Sequence, residues 1–282
     1  MYSRILVPLD GSNEAEQVLP YVRALGKSFK PRIDLITTYQ PMAEELADPA
    51  HHHYSHQIDD NRRADSLDYL HRVKSGQLDD LGVAVTYTVE DGHPADWIIT
   101  EAAKQPNTLI AMSTHGRSGI ARWVMGSTTD KVLHAASTPI LIIRSQNEDN
   151  IPRDPQLKSI IVPLDGSMLA EKILPHVTEL ARAMGLRVIL VRVTPHFEEA
   201  ALEYLRGVAS ITRGRGVAAV EERLLHGHPA AAIVDYAMEI DHNLVAMTTH
   251  GRSGVGRWML GSVTDRVVQH SGDPVLVVRA HD

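Results

Sequence analysis

Arg4-Ile5-Leu6-Val7-Pro8-Leu9-Asp10-Gly11-Ser12 returns later in the chain as Ser159-Ile160-Ile161-Val162-Pro163-Leu164-Asp165-Gly166-Ser167. Gly92-His93-Pro94-Ala95 returns as Gly227-His228-Pro229-Ala230. Ser113 to Val132 returns as Thr248 to Val267 with 13 of 20 positions identical, so the two stretches are copies. Two copies at a period near domain size mark a duplicated domain and not a solenoid. The offset between equivalents falls from 155 residues at Pro8 and Pro163 to 135 at Gly116 and Gly251. The second copy is therefore 20 residues shorter, and the loss lies between its first motif and the equivalent of Gly92. The polar stretch from Ser145 to Pro155 reads as a linker, which gives expected domains at 1–146 and 157–282.

Strand and helix signals alternate within each copy. Arg4–Val7 is a short buried run, followed by a helix expected over Ser12–Phe29. Ile33–Thr38 reads as strand, Asp60–Leu81 as helix, Val83–Val89 as strand and Ala95–Ala103 as helix. Thr108–Met112 is a buried strand, Ser127–Ala136 a helix and Pro139–Ile143 a closing strand. The second copy repeats the strands near 160–163, 187–193, 218–225, 244–247 and 274–278. Five strands and four intervening helices predict an α/β fold: two tandem open parallel sheets with helices on both faces. If such a sheet reverses direction once, ligands lie at the carboxyl ends of the strands flanking the reversal. Two polar loops fall there, Pro8–Ser12 after the first strand and Ser113–Gly116 after the fourth, making one crevice per copy.

The 282 residues agree with two domains at roughly 150 residues each. An apolar fraction of 43% and a charged fraction of 22% place the chain among ordinary globular proteins. A formal net charge of -7 argues against non-specific nucleic-acid binding, which depends on basic patches. Cysteine is absent, which excludes disulfides, thiolate nucleophiles and Cys-ligated metals. The start has no long apolar run, as Pro8 and Asp10 end the only one, so no secretory signal is expected. No stretch reaches the roughly 18 apolar residues of a membrane helix. A cytoplasmic location is expected, with no membrane or nucleic-acid partner.

The glycine-rich segment carries the chemistry. Met112-Ser113-Thr114-His115-Gly116 is followed by Gly126-Ser127-Thr128 at the start of a helical pattern. Met247-Thr248-Thr249-His250-Gly251 is likewise followed by Gly261-Ser262-Val263. A Gly-Ser entering a helix offers backbone N–H groups, a hydroxyl and the positive end of the helix dipole to a phosphate. The competing reading makes Ser127 and Ser262 plain N-caps and the glycines turn markers. The segment is neither a Walker A loop nor a Gly-x-Gly-x-x-Gly fingerprint.

This arrangement resembles the universal stress protein family in its tandem two-domain form. That family's signature is Gly-x2-Gly-x9-Gly-(Ser/Thr), with a Pro-x-Asp near the domain start, and the likeness covers essentially the whole chain twice. Ser113 and Thr248 stand where the signature has its first glycine; the family's ATP-binding type contacts ligand there through the backbone. The resemblance implies a sheet order 3-2-1-4-5 and, in one branch, ATP at the switch point, expected here with Mg2+ and without efficient turnover.

Carried over by position, Pro8 and Asp10 would flank the nucleoside, with the Asp10 carboxylate on the ribose. Thr38 would present its backbone to adenine. Met112, Ser113, His115 and Gly116 would line the ribose and phosphate side, and Gly126, Ser127 and Thr128 would hold the phosphates. The counterparts are Pro163, Asp165, Val193, Met247, Thr248, His250, Gly251, Gly261, Ser262 and Val263. Val193 suits an adenine wall better than Thr38, so the second site is expected to be the tighter one.

Other readings stay open. Asp-Gly-Ser after a strand is also an ordinary turn with a helix cap. His115 or His250 with a metal-bound water would make a slow ATP hydrolase, whereas Ser113 and Thr248 in place of glycine suit a partner-binding module without nucleotide. Arg117, Arg122, Arg252 and Arg257 are near enough in sequence to help neutralise phosphates, and Trp123 and Trp258 are expected to pack on their own domains. His51–His56 reads as a solvated loop and not as a metal site. The closing strands Ile140–Ile143 and Val275–Val278 are apolar edges that invite pairing. The resemblance implies dimer contacts there, so the copies are expected to form a pseudo-dimer and two chains a homodimer through these edges.

Overall fold

A computed structural model describes residues 2–39, 52–114, 125–145, 155–250 and 261–280. The first half contributes β1 (Arg4–Pro8), α1 (Asn13–Glu16), α2 (Leu19–Phe29), β2 (Arg32–Tyr39), α3 (His52–Val73) and β3 (Val85–Asp91). It continues with α4 (Pro94–Ala103), β4 (Thr108–Thr114), α5 (Ser127–Ala135) and β5 (Ile140–Arg144). The second half repeats the order as β6 (Ser159–Pro163), α6 (Met168–Glu171), α7 (Leu174–Met184), β7 (Arg187–Thr194) and α8 (Glu199–Gly214). It ends with β8 (Val220–His226), α9 (Pro229–Glu239), β9 (Asn243–His250), α10 (Ser262–His270) and β10 (Val275–Ala280).

All ten strands join one sheet in the order β3-β2-β1-β4-β5-β10-β9-β6-β7-β8. Each half thus has the expected order 3-2-1-4-5, with parallel pairing throughout. Strands this apolar are stable only when covered on both faces. Ile5 and Val7 enter one apolar layer while Leu6 between them enters the other. The first layer holds Val22 of α2, Leu70 of α3 and Leu205 of α8; the second holds Ile98 of α4, Val132 of α5 and Val267 of α10.

Within the sheet, one antiparallel pairing joins the halves, β5 on β10, with Leu141 opposite Leu276. The copies do form the expected pseudo-dimer, within one chain. That pairing takes up both closing edges, so the homodimer expected through them has no free edge there to use.

Two helices differ from the expectation. The expected helix over Ser12–Phe29 is two, α1 and α2, because Pro20 in the first turn of α2 lacks the N–H that would continue the ladder and clashes with a carbonyl four residues back. Pro175 breaks α6 from α7 in the same way. The helix expected over Asp60–Leu81 starts earlier, at His52, since no proline follows Pro49 until Pro94. It ends in a π turn over Lys74–Leu78 and a 3-10 turn over Asp79–Leu81, stopped by Gly82 at φ +65°. His52–His56 therefore lie on a helix and not in a loop; His51 is outside the described residues.

Candidate functional site

The first loop begins where β1 ends. Gly11 takes φ +85° and Gly166 takes φ +87°, left-handed conformations that only glycine adopts freely. The turn brings the Asp10 carboxylate back onto Ser12, whose backbone N–H donates to it at 3.0 Å and whose hydroxyl donates at 2.6 Å. Ser12 caps α1 by accepting from the Ala15 N–H at 3.1 Å. In the second half the Ser167 N–H donates to Asp165 at 2.9 Å, and Ser167 accepts from the Ala170 N–H at 3.1 Å. Asp-Gly-Ser is thus a turn with a helix cap in both copies, and it leaves both carboxylates at the exposed rim of the sheet.

A tyrosine backs each of these loops. Tyr204 donates to Glu171 at 2.9 Å, and Tyr69 faces Glu16 and the Gly11 backbone. Burial, reinforced by the neighbouring glutamate, pushes both phenols well up from their ordinary value, so they stay protonated. One difference separates the halves. The Arg192 guanidinium lies 5.3 Å over the Tyr204 ring and 3.0 Å from where a Cβ on Gly166 would sit. The strand register puts Thr37 at the equivalent place in the first half, and it donates to the Leu9 carbonyl at 2.6 Å.

The second loop leaves β4 and enters α5. Ser113 is buried and donates to Ile143 at 3.1 Å, tying β4 to β5. Thr129, in the first turn of α5, donates to the Ser113 carbonyl at 3.3 Å, and Thr264 does the same to Thr248 at 3.1 Å. The N-cap residues are Gly126 and Gly261, with no side-chain cap, and Ser127 and Ser262 are the first helical residues. The reading of those serines as caps therefore fails. The glycines are no turn markers either: φ is −60° at Gly126 and −57° at Gly261, where any residue is comfortable. What glycine supplies at these positions is a missing side chain.

Between the two loops of the first half lies a cavity of about 580 Å³. Pro8, Asp10, Thr38, Met112, Ser113, Gly126, Ser127 and Thr128 line it, so these sequence-derived candidates are brought together. Sequence reasoning did not name Ile36, Pro94, Ile98, Met125 and Thr129, which line it too. The repetition of Gly-His-Pro-Ala was the available signal for Pro94, which opens α4 beside the crevice. Its lining mixes apolar side chains, Ile36, Ile98 and Met112, with the start of α5 and the hydroxyls of Ser127 and Thr128.

In the second half Pro163 ends β6, Asp165 follows it, Val193 lies in β7, and Met247 and Thr248 lie in β9. His250 ends β9, and Gly261, Ser262 and Val263 open α10, so the backbone arrangement repeats with Val263 in place of the Thr128 hydroxyl. His115, Gly116 and Gly251 lie outside the described residues, as do Arg117, Arg122, Trp123, Arg252, Arg257 and Trp258. Among the described residues no group of three His, Asp or Glu is placed to hold a metal, and no helix is long and apolar enough to cross a membrane.

The model of the universal stress protein family matches this sequence over residues 1–144 and again over 156–279. The chain belongs to the universal stress protein family. A universal stress protein of Mycobacterium tuberculosis is 26% identical over 185 residues, which span 61% of this chain and 61% of that relative. The match thus covers less than two thirds of that relative's length. One from Methanocaldococcus jannaschii is 30% identical over 140 residues, covering 43% of this chain and 82% of its own. The crystal structure of a universal stress protein from Archaeoglobus fulgidus superposes over 100% of both chains, with a TM-score of 0.80 at 21% identity. That likeness establishes the universal stress fold in both halves.

Proposed function

We propose that this universal stress protein is an ATP-binding stress-response protein, with one nucleotide crevice in each of its domains, 1–146 and 157–282. The observation that carries the reading is Gly126: a glycine in an unstrained conformation, on a cavity wall, at an uncapped helix start. A serine there would cap the helix better, so the bare backbone has a use other than folding. Close approach of an anion is that use. A cavity of about 580 Å³ falls within the range of small-ligand sites.

Adenine lies against the apolar Ile36 and Ile98, beside the Thr38 backbone. Pro8 and Asp10 flank the ribose. Gly126, Ser127 and Thr128 meet the phosphates, with Ser113, Met112, His115 and Gly116 on the same side. Pro163, Asp165, Val193, Met247, Thr248, His250, Gly251, Gly261, Ser262 and Val263 do the same in the second half, where Val193 favours tighter binding. Mg2+ rides on the phosphates, its usual way of binding a nucleotide. ATP is held there without efficient turnover. The protein works in the cytoplasm.

The test is to heat-denature purified protein, chromatograph the supernatant for adenine nucleotides, and measure melting in millimolar ATP–Mg2+. A ligand of the native state stabilises it by mass action. Co-purified nucleotide or a rise in Tm is expected; neither, in the same preparation, overturns the proposal.

A further inference from the structure

α5 begins at the phosphate end of the first crevice and ends at His134 and Ala135, nine residues on. Nine residues make a rod of about 13 Å. Its first turn is tied to its own half, through Thr129 on the Ser113 carbonyl. Its last turn is held by the other half. Arg279, near the end of β10, donates to the Ala135 carbonyl at 3.1 Å and also to the His134 carbonyl. The contact follows from the antiparallel pairing: β10 runs past the start of β5, where α5 has just ended.

The same contact recurs with the halves exchanged. Arg144, at the end of β5, donates to the His270 carbonyl at the end of α10, at 3.4 Å. One arginine makes two bonds and its counterpart one long bond. The last carbonyls of a helix have no intrahelical donor, and a cation there offsets the negative end of the helix dipole.

We infer that Arg279 is a positioning residue for the phosphate end of the first crevice, supplied to it by the other half of the chain. The guanidinium fixes where α5 sits along its axis and adds positive charge behind the N–H groups that face a phosphate. Base and ribose lie against β1 and β2, which α5 does not carry, so the effect falls on the phosphates alone. This inference rests on the nucleotide reading of the crevice.

The experiment titrates the full chain calorimetrically with ATP–Mg2+ and with adenosine, in an Asp165→Ala background that weakens the second crevice. Arg279→Met is expected to lower ATP affinity about three- to ten-fold and to leave adenosine affinity unchanged, with Arg279→Lys restoring most of the loss. If Arg279→Met does not fold, Arg279→Gln, which keeps an amide donor without the charge, replaces it in the same comparison. Equal loss of both ligands, or loss of neither, overturns the inference while leaving the nucleotide reading standing. If the parent binds neither ligand, the nucleotide reading falls and takes this inference with it.

Discussion

Gly126→Ser separates a structural glycine from one kept bare for a ligand, because the two roles give opposite signs. The backbone at Gly126 has φ −60° and ψ 143°, which serine adopts at a helix cap without strain. Serine gains a few tenths of a kcal/mol over glycine as an N-cap. Removing a glycine from the unfolded ensemble at a compatible position gains about 0.4–1 kcal/mol more. The ligand-free variant is therefore expected to be more stable by about 0.5–1.5 kcal/mol, raising Tm by about 1–4 °C in a chain of this size. The new hydroxyl also occupies an N–H of the first turn of α5 and puts a Cβ into the cavity wall. Losing one hydrogen bond to a charged phosphate costs about 1.5–3 kcal/mol, so ATP binding to the first crevice weakens by about ten- to a hundred-fold. Scanning calorimetry without ligand gives the first quantity and isothermal titration the second. A lower Tm would mean that the backbone needs glycine after all, and unchanged ATP affinity would mean that the wall is not where the phosphate sits.

Arg4 is 3% exposed and bonds Asp34 at 2.5 Å and Glu101 at 2.8 Å; Arg32 and Lys104 still neutralise those carboxylates without it, so Arg4→Ala should cost about 1.5–3 kcal/mol in urea denaturation. Hydrogen bonds from Arg32, Thr86 and Arg4 outweigh burial and hold the Asp34 carboxyl below its ordinary value. Its contribution is present above the unfolded-state pKa and fades as pH falls through the lower folded one, so Asp34→Asn should flatten the acid limb of a Tm-against-pH curve. Asp273 runs the other way: burial pushes its carboxyl up to about 6, against the lowering bond from Asn243. Stability is lost as pH rises from the lower unfolded-state pKa to that value and stays lost above it, so Asp273→Asn should raise Tm by a few degrees at pH 7.5 and by almost nothing at pH 4. Leu276, 1% exposed and opposite Leu141 across the seam, should cost about 2–5 kcal/mol as alanine. Because both halves share the layer it fills, a single denaturation transition should move; a shift confined to a second, separate transition would contradict the shared core.

The parallel sheet was legible because strands covered on both faces are continuous apolar runs, as at Leu109–Met112 and Ile160–Val162. Duplication made the reading firmer, since each element could be checked against its twin. The seam was legible only in part, as a pseudo-dimer of the two copies. Ile140–Ile143 and Val275–Val278 advertise apolar edges, but a run of branched residues does not say whether its partner is another chain or the other half of its own. Pro20 was in plain view, yet the apolar spacing runs on across it and masked the break. At Gly126-Ser127 both residues make acceptable caps, so only the dihedral angles decide which one is. Arg279 gave no sign at all, because its acceptors lie 144 and 145 residues away.

One antiparallel seam in an otherwise parallel sheet also settles which way the crevices look. Strand carboxyl ends mark each mouth, and strands that run up in one half run down in the other. The two mouths therefore open at opposite margins of the sheet, back to back. No single small molecule can bridge them. Any partner that contacts both margins must either reach around the sheet or come as two copies, one at each.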